Sequence, residues 1–313
     1  MTALKKSQER RTMKKRKLPE ALCPLNNDIV RFKEMGNISE IMYSEKKNTN
    51  ISIQRLDKEH YIDKRTGEVK EFLHMDSRAD DKNSVRVSLG KLRDVINTNV
   101  INPENCLWIT LTYAENMTDE KRLYSDFKKF IMRFRYRGYS FEYIVAMEPQ
   151  GRGAWHAHLV LIFNGKAPFI PNKEIAALWG QGFVKTKGLK DVDNVGAYLT
   201  AYLGDMDFDE AIENGINPNG LETKIIESID EHGEKAQKAI IKGARLNLYP
   251  PKFNIYRCSR GIKKPDVSYM PYSKAKKIVG DLTPTFERSV EISDDETGFN
   301  NTIYTSQFNK KRK

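Results

Sequence analysis

"AMEPQGRGAWHAHLVLIF", residues 146–163, decides how this chain is read, because it sets two histidines one residue apart inside an apolar run. Side chains on a β-strand alternate between faces, so His156 and His158 project to one side. Trp155, Ala157, Leu159, Leu161 and Phe163 then form the opposite face, apolar throughout and suited to packing on helices. Two imidazoles about 7 Å apart along a strand can converge on one ion, and neutral imidazole is a common metal ligand. The preceding "FEYIVAME" (141–148) reads as a second strand, joined through "PQGRG", a Pro/Gly turn. That turn folds Glu148 back beside the start of the histidine strand. Two histidines and a carboxylate with open positions suit a divalent ion that must also hold substrate oxygens.

The elements around this hairpin follow a regular order. "CLWITLTYA" (106–114) is strand-like, rich in β-branched and aromatic residues. "TDEKRLYSDFKKFIMRFRYRG" (118–138) reads as a helix with Thr118 as N-cap, an apolar stripe of Leu123, Phe127, Phe130, Ile131 and Phe134, and Gly138 as its end. A short helix capped by Asn172 (172–180), a strand "GFVKTK" (182–187) and a helix "DVDNVGAYLTAYLGD" (191–205) follow. Strand, helix, strand, strand, helix, strand, helix predicts an α+β fold, an antiparallel sheet with helices packed on it, of the split-βαβ, ferredoxin-like kind.

Outside this region the pattern is weaker. Residues 1–50 read as a basic, partly disordered arm, and 51–100 as an extension packed on the core, with a hairpin over 61–75 turning at Gly67 and a helix over 88–99. Residues 101–265 form the main domain, with a polar, mostly helical stretch over 209–245 and "KFNIYRC" (252–258) returning as a further sheet strand. Residues 266–313 read as a tail with a hairpin near 289–308.

Composition narrows the partners. The 313 residues carry a formal net charge of +11, with "KKRK" at both 14–17 and 310–313, which favours a polyanion. No apolar run approaches the roughly 18 residues that span a bilayer, and the basic N-terminus lacks a signal-peptide core, so a cytoplasmic protein without a membrane partner is expected. The scattered Cys23, Cys106 and Cys258 argue against a disulfide framework and a thiolate zinc site. The H-x-E…C-x-x-C signature of nucleobase deaminases is absent, and so is a Walker-type nucleotide loop.

"YLTAY" sets Tyr198 and Tyr202 at i and i+4, on one helical face, while Leu199 and Leu203 form a separate core-facing stripe. Paired tyrosines at this spacing are often packing residues; beside a metal they can be nucleophiles. A phenol with pKa near 10 attacks well only when a cation or base activates it.

The strand "LWITLTY", the His-hydrophobic-His strand "WHAHLVL" and the Y-x-x-x-Y helix, in that order over about residues 105–205, resemble the HUH endonucleases. Among these they are most similar to the rolling-circle replication initiators (Rep proteins) of plasmids, single-stranded DNA phages and related elements. "SLGKLRDVINTN" and "YRCSRGIKKP" also look like Gram-positive members. The resemblance implies a metal-dependent nickase acting on single-stranded, hairpin origin DNA, working as monomer or dimer with a host helicase and polymerase. It implies Mg²⁺ or Mn²⁺ held by His156, His158 and Glu148, and Tyr198 or Tyr202 as nucleophile. It places the strand with Thr110 and Thr112 at the sheet centre. Where many members carry a phosphate-binding lysine three residues after each tyrosine, this chain has Ala201 and Asp205. Arg152, Lys185 and Lys187 are the candidate replacements and, with Thr110 and Thr112, the candidate DNA contacts. Two other readings stay open: a non-catalytic origin- or operator-binding protein on the same fold, and a metal-dependent nuclease using an activated water.

Overall fold

Five strands of alternating or apolar sequence assemble into the sheet that carries the histidines. The computed structural model describes residues 14–46, 53–72, 82–190, 192, 194–216, 222–229, 235–250, 252–295 and 298–312. The chain forms two compact units, His74–Lys264 and Met1–Leu73 with Pro265–Lys313. In the first, α1 (Lys82–Asn99), β1 (Cys106–Thr112), α2 (Glu120–Tyr136), β2 (Glu142–Pro149), β3 (Trp155–Ile162), α3 (Asn172–Trp179), β4 (Val184–Lys187) and α4 (Val195–Tyr202) follow in sequence. They lead into β5 (Met206–Asp207), α5 (Phe208–Glu213), β6 (Thr223–Ile229), β7 (Lys235–Ile241) and β8 (Tyr256–Cys258).

The central sheet runs β4-β1-β3-β2-β8, every neighbour antiparallel. β1 and β2 are therefore parallel, connected through α2, with β3 inserted between them. That is the split-βαβ arrangement within an α+β fold. β1 lies inside the sheet, as the resemblance implied for the strand of Thr110 and Thr112.

Each face of the sheet buries its own helix pair. Ile109, Leu111, Val145, Met147, Trp155, Ala157, Leu159 and Leu161 pack against the α2 stripe of Leu123, Phe127, Phe130, Ile131 and Phe134 and against Ile175, Leu178 and Trp179 of α3. Burying a side chain of this size contributes about 1.5–3 kcal/mol, so this layer dominates the unit's cohesion. On the histidine face, Leu92, Val95 and Ile96 of α1 and Val195, Leu199 and Leu203 at α4 cover Ile144, Ala146 and Val160. The helices α1 and α4 meet closely at Gly196, where the Gly196 amide donates to Asn97 Oδ1 at 2.8 Å.

Several local expectations shift. Asp119 caps α2, not Thr118: its carboxylate accepts from the Lys121 and Arg122 amides, giving a stronger cap one residue later. Asn172 is the first residue of α3, behind Pro171, and makes no cap bond. The stretch over 209–245 is mostly not helical. After α5 it forms the hairpin β6–β7, consistent with the β-branched "TKIIESI" and the alternating "KAQKAII". "KFNIYRC" does return to the sheet, as β8 on the edge of β2.

The second unit is built from both chain ends. Its six-stranded sheet orders Lys14–Lys17, Pro284–Asp294, Phe299–Asn309, Ile38–Ser44, Ile29–Met35 and Asp266–Pro271. A helix, Tyr272–Val279, buries Tyr272, Ala275 and Val279 against Val30, Phe32, Ile41, Tyr304 and Phe308. Residues 29–44, expected within the loose arm, are instead a strand pair turning at Gly36. The C-terminal hairpin is present, longer than expected. The 61–75 hairpin is present as His60–Asp63 and Val69–Glu71 around Gly67; residues 73–75 lie outside the described residues.

Candidate nucleic-acid processing site

Cross-strand register gathers most of the residues singled out in the sequence. His156 stands directly between Thr112 on β1 and Glu148 on β2, and His158 between Thr110 and Ala146. Lys185 and Lys187 on β4 pair with Thr110 and Trp108. Directly paired residues share a face, so Lys185, Thr110, Thr112, His156, His158 and Glu148 all lie on the face that α1 and α4 cover in part. The histidine rings sit with centroids 6.3 Å apart, near-perpendicular.

Glu148 is the hub. It is 6% exposed. One carboxylate oxygen bonds His158 Nε2, and the other lies 2.8 Å from Arg245 Nε. Burial alone would raise this carboxyl; the His158 ring and the Arg245 guanidinium outweigh that and hold it below the usual carboxylate range. Thr110 Oγ1 sits 3.3 Å from His158 Nδ1, so both ring nitrogens of His158 are engaged. His156 differs. Burial, helped by the neighbouring His158, Arg245 and Arg152 charges, pushes its imidazole down to about 4. It is neutral at pH 7, and its buried Nε2 has no hydrogen-bond partner.

Two neutral-capable imidazoles and a carboxylate are the right donors for Mg²⁺ or Mn²⁺, and the orphaned His156 Nε2 is an atom that a ligand would satisfy. Against this, no group of three or more His, Cys, Asp or Glu among the described residues is arranged to hold a metal ion. Glu148 is turned toward His158 and Arg245, and would have to release His158 to join a common ligand set.

The tyrosine helix approaches this face next to β4. Lys187 Nζ donates to the Tyr198 hydroxyl at 2.7 Å and also lies over the Tyr198 and Trp108 rings. The Trp108 indole stands between the groups, edge-on to Tyr198 at 5.6 Å and tilted to His158 at 6.3 Å. Tyr198 is thus connected to the histidine pair through a single aromatic ring. Tyr202 is the last residue of α4; its side chain, like that of Ala201, lies outside the described residues. Arg152 is exposed in the turn after β2, bonded to Gln150.

Asp205, one of the two positions where a family lysine was expected, has a structural task. It pairs with Lys242 and accepts from the Gly243 amide, fixing the turn that leads to Arg245. Arg245 then bonds the Asp205 carbonyl, the Pro149 carbonyl and both oxygens of Glu210. Sequence reasoning missed Arg245, for no local pattern marks a lone arginine in "GARLNLYP". It also missed Trp108, although the period-2 spacing of Trp108, Thr110 and Thr112 was a usable signal. Tyr249 is excluded as a nucleophile: its buried hydroxyl lies 3.1 Å from the Met147 and Leu203 carbonyls, and burial and the Glu148 charge hold its phenol well above the ordinary value.

Comparison with known proteins agrees with this location. A family model for replication-associated proteins of the ORF2 group matches residues 106–207, from the first residue of β1 to the last of β5. The match supports a role in replication initiation and implies DNA as a partner. No curated protein and no solved structure matches the chain. No described helix is long and apolar enough to cross a membrane.

Proposed function

We propose that the chain is a rolling-circle replication initiator of the HUH type, nicking and rejoining single-stranded DNA at an extruded origin hairpin. The observation that carries this reading is the register that sets Glu148 opposite His156 and beside His158, with the Tyr198 hydroxyl on Lys187 along the same face. His156, His158 and Glu148 would hold Mg²⁺ or Mn²⁺. Bound there, the ion would neutralise charge developing on the scissile phosphate.

The chain's own groups supply the remaining steps. Tyr198 or Tyr202 attacks phosphorus; a phosphotyrosine bond forms as the bond to the 3′ oxygen breaks, and that oxygen leaves as a free 3′-hydroxyl. Lys187 stabilises the phenolic oxygen of Tyr198 as its proton departs. The 5′-phosphotyrosine link conserves the phosphodiester energy, so reverse attack by a 3′-hydroxyl rejoins the strand. Thr110 holds His158 in one orientation, and Arg245 does the same for Glu148. Arg152 and Lys185 flank the site as phosphate contacts. A host polymerase extends the free 3′ end, and a host helicase unwinds the duplex.

The test is incubation with labelled origin single strand and Mn²⁺, using wild type, Tyr198→Phe, Tyr202→Phe and the double variant. A covalent adduct that disappears in a tyrosine variant supports the nickase. Cleaved ends without an adduct, retained in the double variant, indicate a water-using nuclease instead. One observation favours a second reading: Glu148 is already satisfied by His158 and Arg245. A metal-free, non-catalytic origin-binding protein needs nothing more, and it would bind DNA without cleavage under any metal.

A further inference from the structure

The histidine face continues past the site to the far edge of the sheet, where a groove of about 420 Å³ opens between α1 and β8. Four cations line it: Lys91 from α1, Arg257 from β8, and Lys263 and Lys264 from the loop that follows. No acidic residue lines it, and among the described residues none of the four is held in an ion pair. Val95 and Tyr256 supply an apolar wall. The volume falls in the range of ligand-sized pockets and is far larger than one phosphate needs.

The rim is built in advance. Asn99 on α1 clamps the loop from both sides, accepting from the Lys263 amide at 2.9 Å and donating to the Lys263 carbonyl at 2.8 Å. Gly261 fits under the edge of β2, its amide donating to Glu142 Oε2 at 3.2 Å, where an added Cβ would lie 2.4 Å from that carboxylate. Like charges are thus fixed facing one another across an open groove. Such an arrangement costs free energy in the unliganded protein and is relieved by a polyanion.

We propose that this groove is a second nucleic-acid contact, holding the phosphate backbone of a single strand, with a base against Tyr256. The assignment rests on the reading of the chain as a DNA-binding protein and adds to it a defined surface. Tyr256 stands in the same cross-strand row as His158, with Ala146 between them. Two strand spacings separate them, about 10 Å. On that face the apolar contacts of α1 and α4 with Ala146 and Val160 lie between groove and histidines, so the groove is a separate subsite, not part of the cleavage site. It would grip a strand without base specificity through counterion release and stacking.

The experiment measures binding of the full chain to fluorescein-labelled oligothymidine by anisotropy over a series of salt concentrations. The groove pair Lys91→Gln/Lys264→Gln is compared with Lys121→Gln/Lys128→Gln, two exposed lysines on α2; circular dichroism checks that both variants fold. Two lost phosphate contacts on a single strand should make the slope of log K against log salt shallower by about 1.4, in the groove pair alone. An unchanged slope in the groove pair, or an equal change in both pairs, overturns the proposal. If wild type itself shows no salt-dependent binding, the DNA reading fails first.

Discussion

The Lys187 ammonium holds the Tyr198 hydroxyl at 2.7 Å, on the same sheet face where His156, His158 and Glu148 meet. In a chain with Ala201 and Asp205 at the expected lysine positions, this contact provides the nearby cation that a phenol nucleophile requires. Lys187→Met should therefore slow adduct formation through Tyr198 roughly 10- to 150-fold, the worth of a hydrogen bond with a charged donor at about 1.5–3 kcal/mol. Lys187→Arg should recover part of the loss. Single-turnover kinetics on a labelled strand checks this; an undiminished rate in Lys187→Met would remove Lys187 from the chemistry.

Arg245 is expected to matter for stability as much as for the site. Its guanidinium satisfies buried Glu148 and ties down Asp205, Pro149 and Glu210. Arg245→Ala leaves a buried carboxylate short of its partner and should cost about 3–5 kcal/mol. Urea denaturation measures it. A change within about 0.5 kcal/mol, typical of a surface substitution, would show that Glu148 does not depend on this arginine.

Two helical glycines should respond in opposite directions. A Cβ on Gly196 would lie 2.5 Å from the Arg93 carbonyl oxygen and 2.6 Å from Asn97 Oδ1, so Gly196→Ala must push α4 away from α1. The expected loss is about 1–3 kcal/mol. Nothing lies within 4 Å of a Cβ on Gly90 in α1, and Gly90→Ala should stabilise by about 0.5–1 kcal/mol. Thermal melting of the two variants separates these outcomes.

The thiols give the pH dependence. Burial pushes Cys106 up to about 12 and Cys258 up to about 11, whereas Cys23 is exposed. A folded-state pKa above the unfolded value near 8.5 means the native protein keeps protons that the unfolded chain releases. This contribution is fully present below about pH 8.5 and is lost as pH rises toward 11–12. At pH 8, iodoacetamide should modify Cys23 in the native protein and reach all three cysteines only in denaturant. Mass spectrometry of the alkylated protein reads the result, and rapid native labelling of Cys106 would contradict it.

How much of this was legible in the sequence depended on distance along the chain. The H-x-H strand, the turn before it and the α2 stripe are local, and periods of 2 and 3.6 residues expose them directly. Glu148 followed from a five-residue turn, and β8 from a short apolar run. Arg245 did not, because it reaches Glu148 only after β6 and β7 have folded back, in a stretch whose charges mimic a helix. The sheet that joins Ile38–Ser44 to Phe299–Asn309 was equally hidden: each strand alternates weakly, and only its partner from the other end of the chain makes it a strand. Lys187 was visible as a candidate but not as the residue that touches Tyr198.

The most direct test of the central claim is to find where DNA becomes attached. After incubation with origin single strand and Mn²⁺, the protein is digested and nucleotide-bearing peptides are sequenced by mass spectrometry. The account predicts a phosphodiester-linked peptide from α4, carrying the nucleotide on Tyr198 or Tyr202. Strand cleavage with no linked peptide, or linkage at a tyrosine elsewhere in the chain, would contradict it.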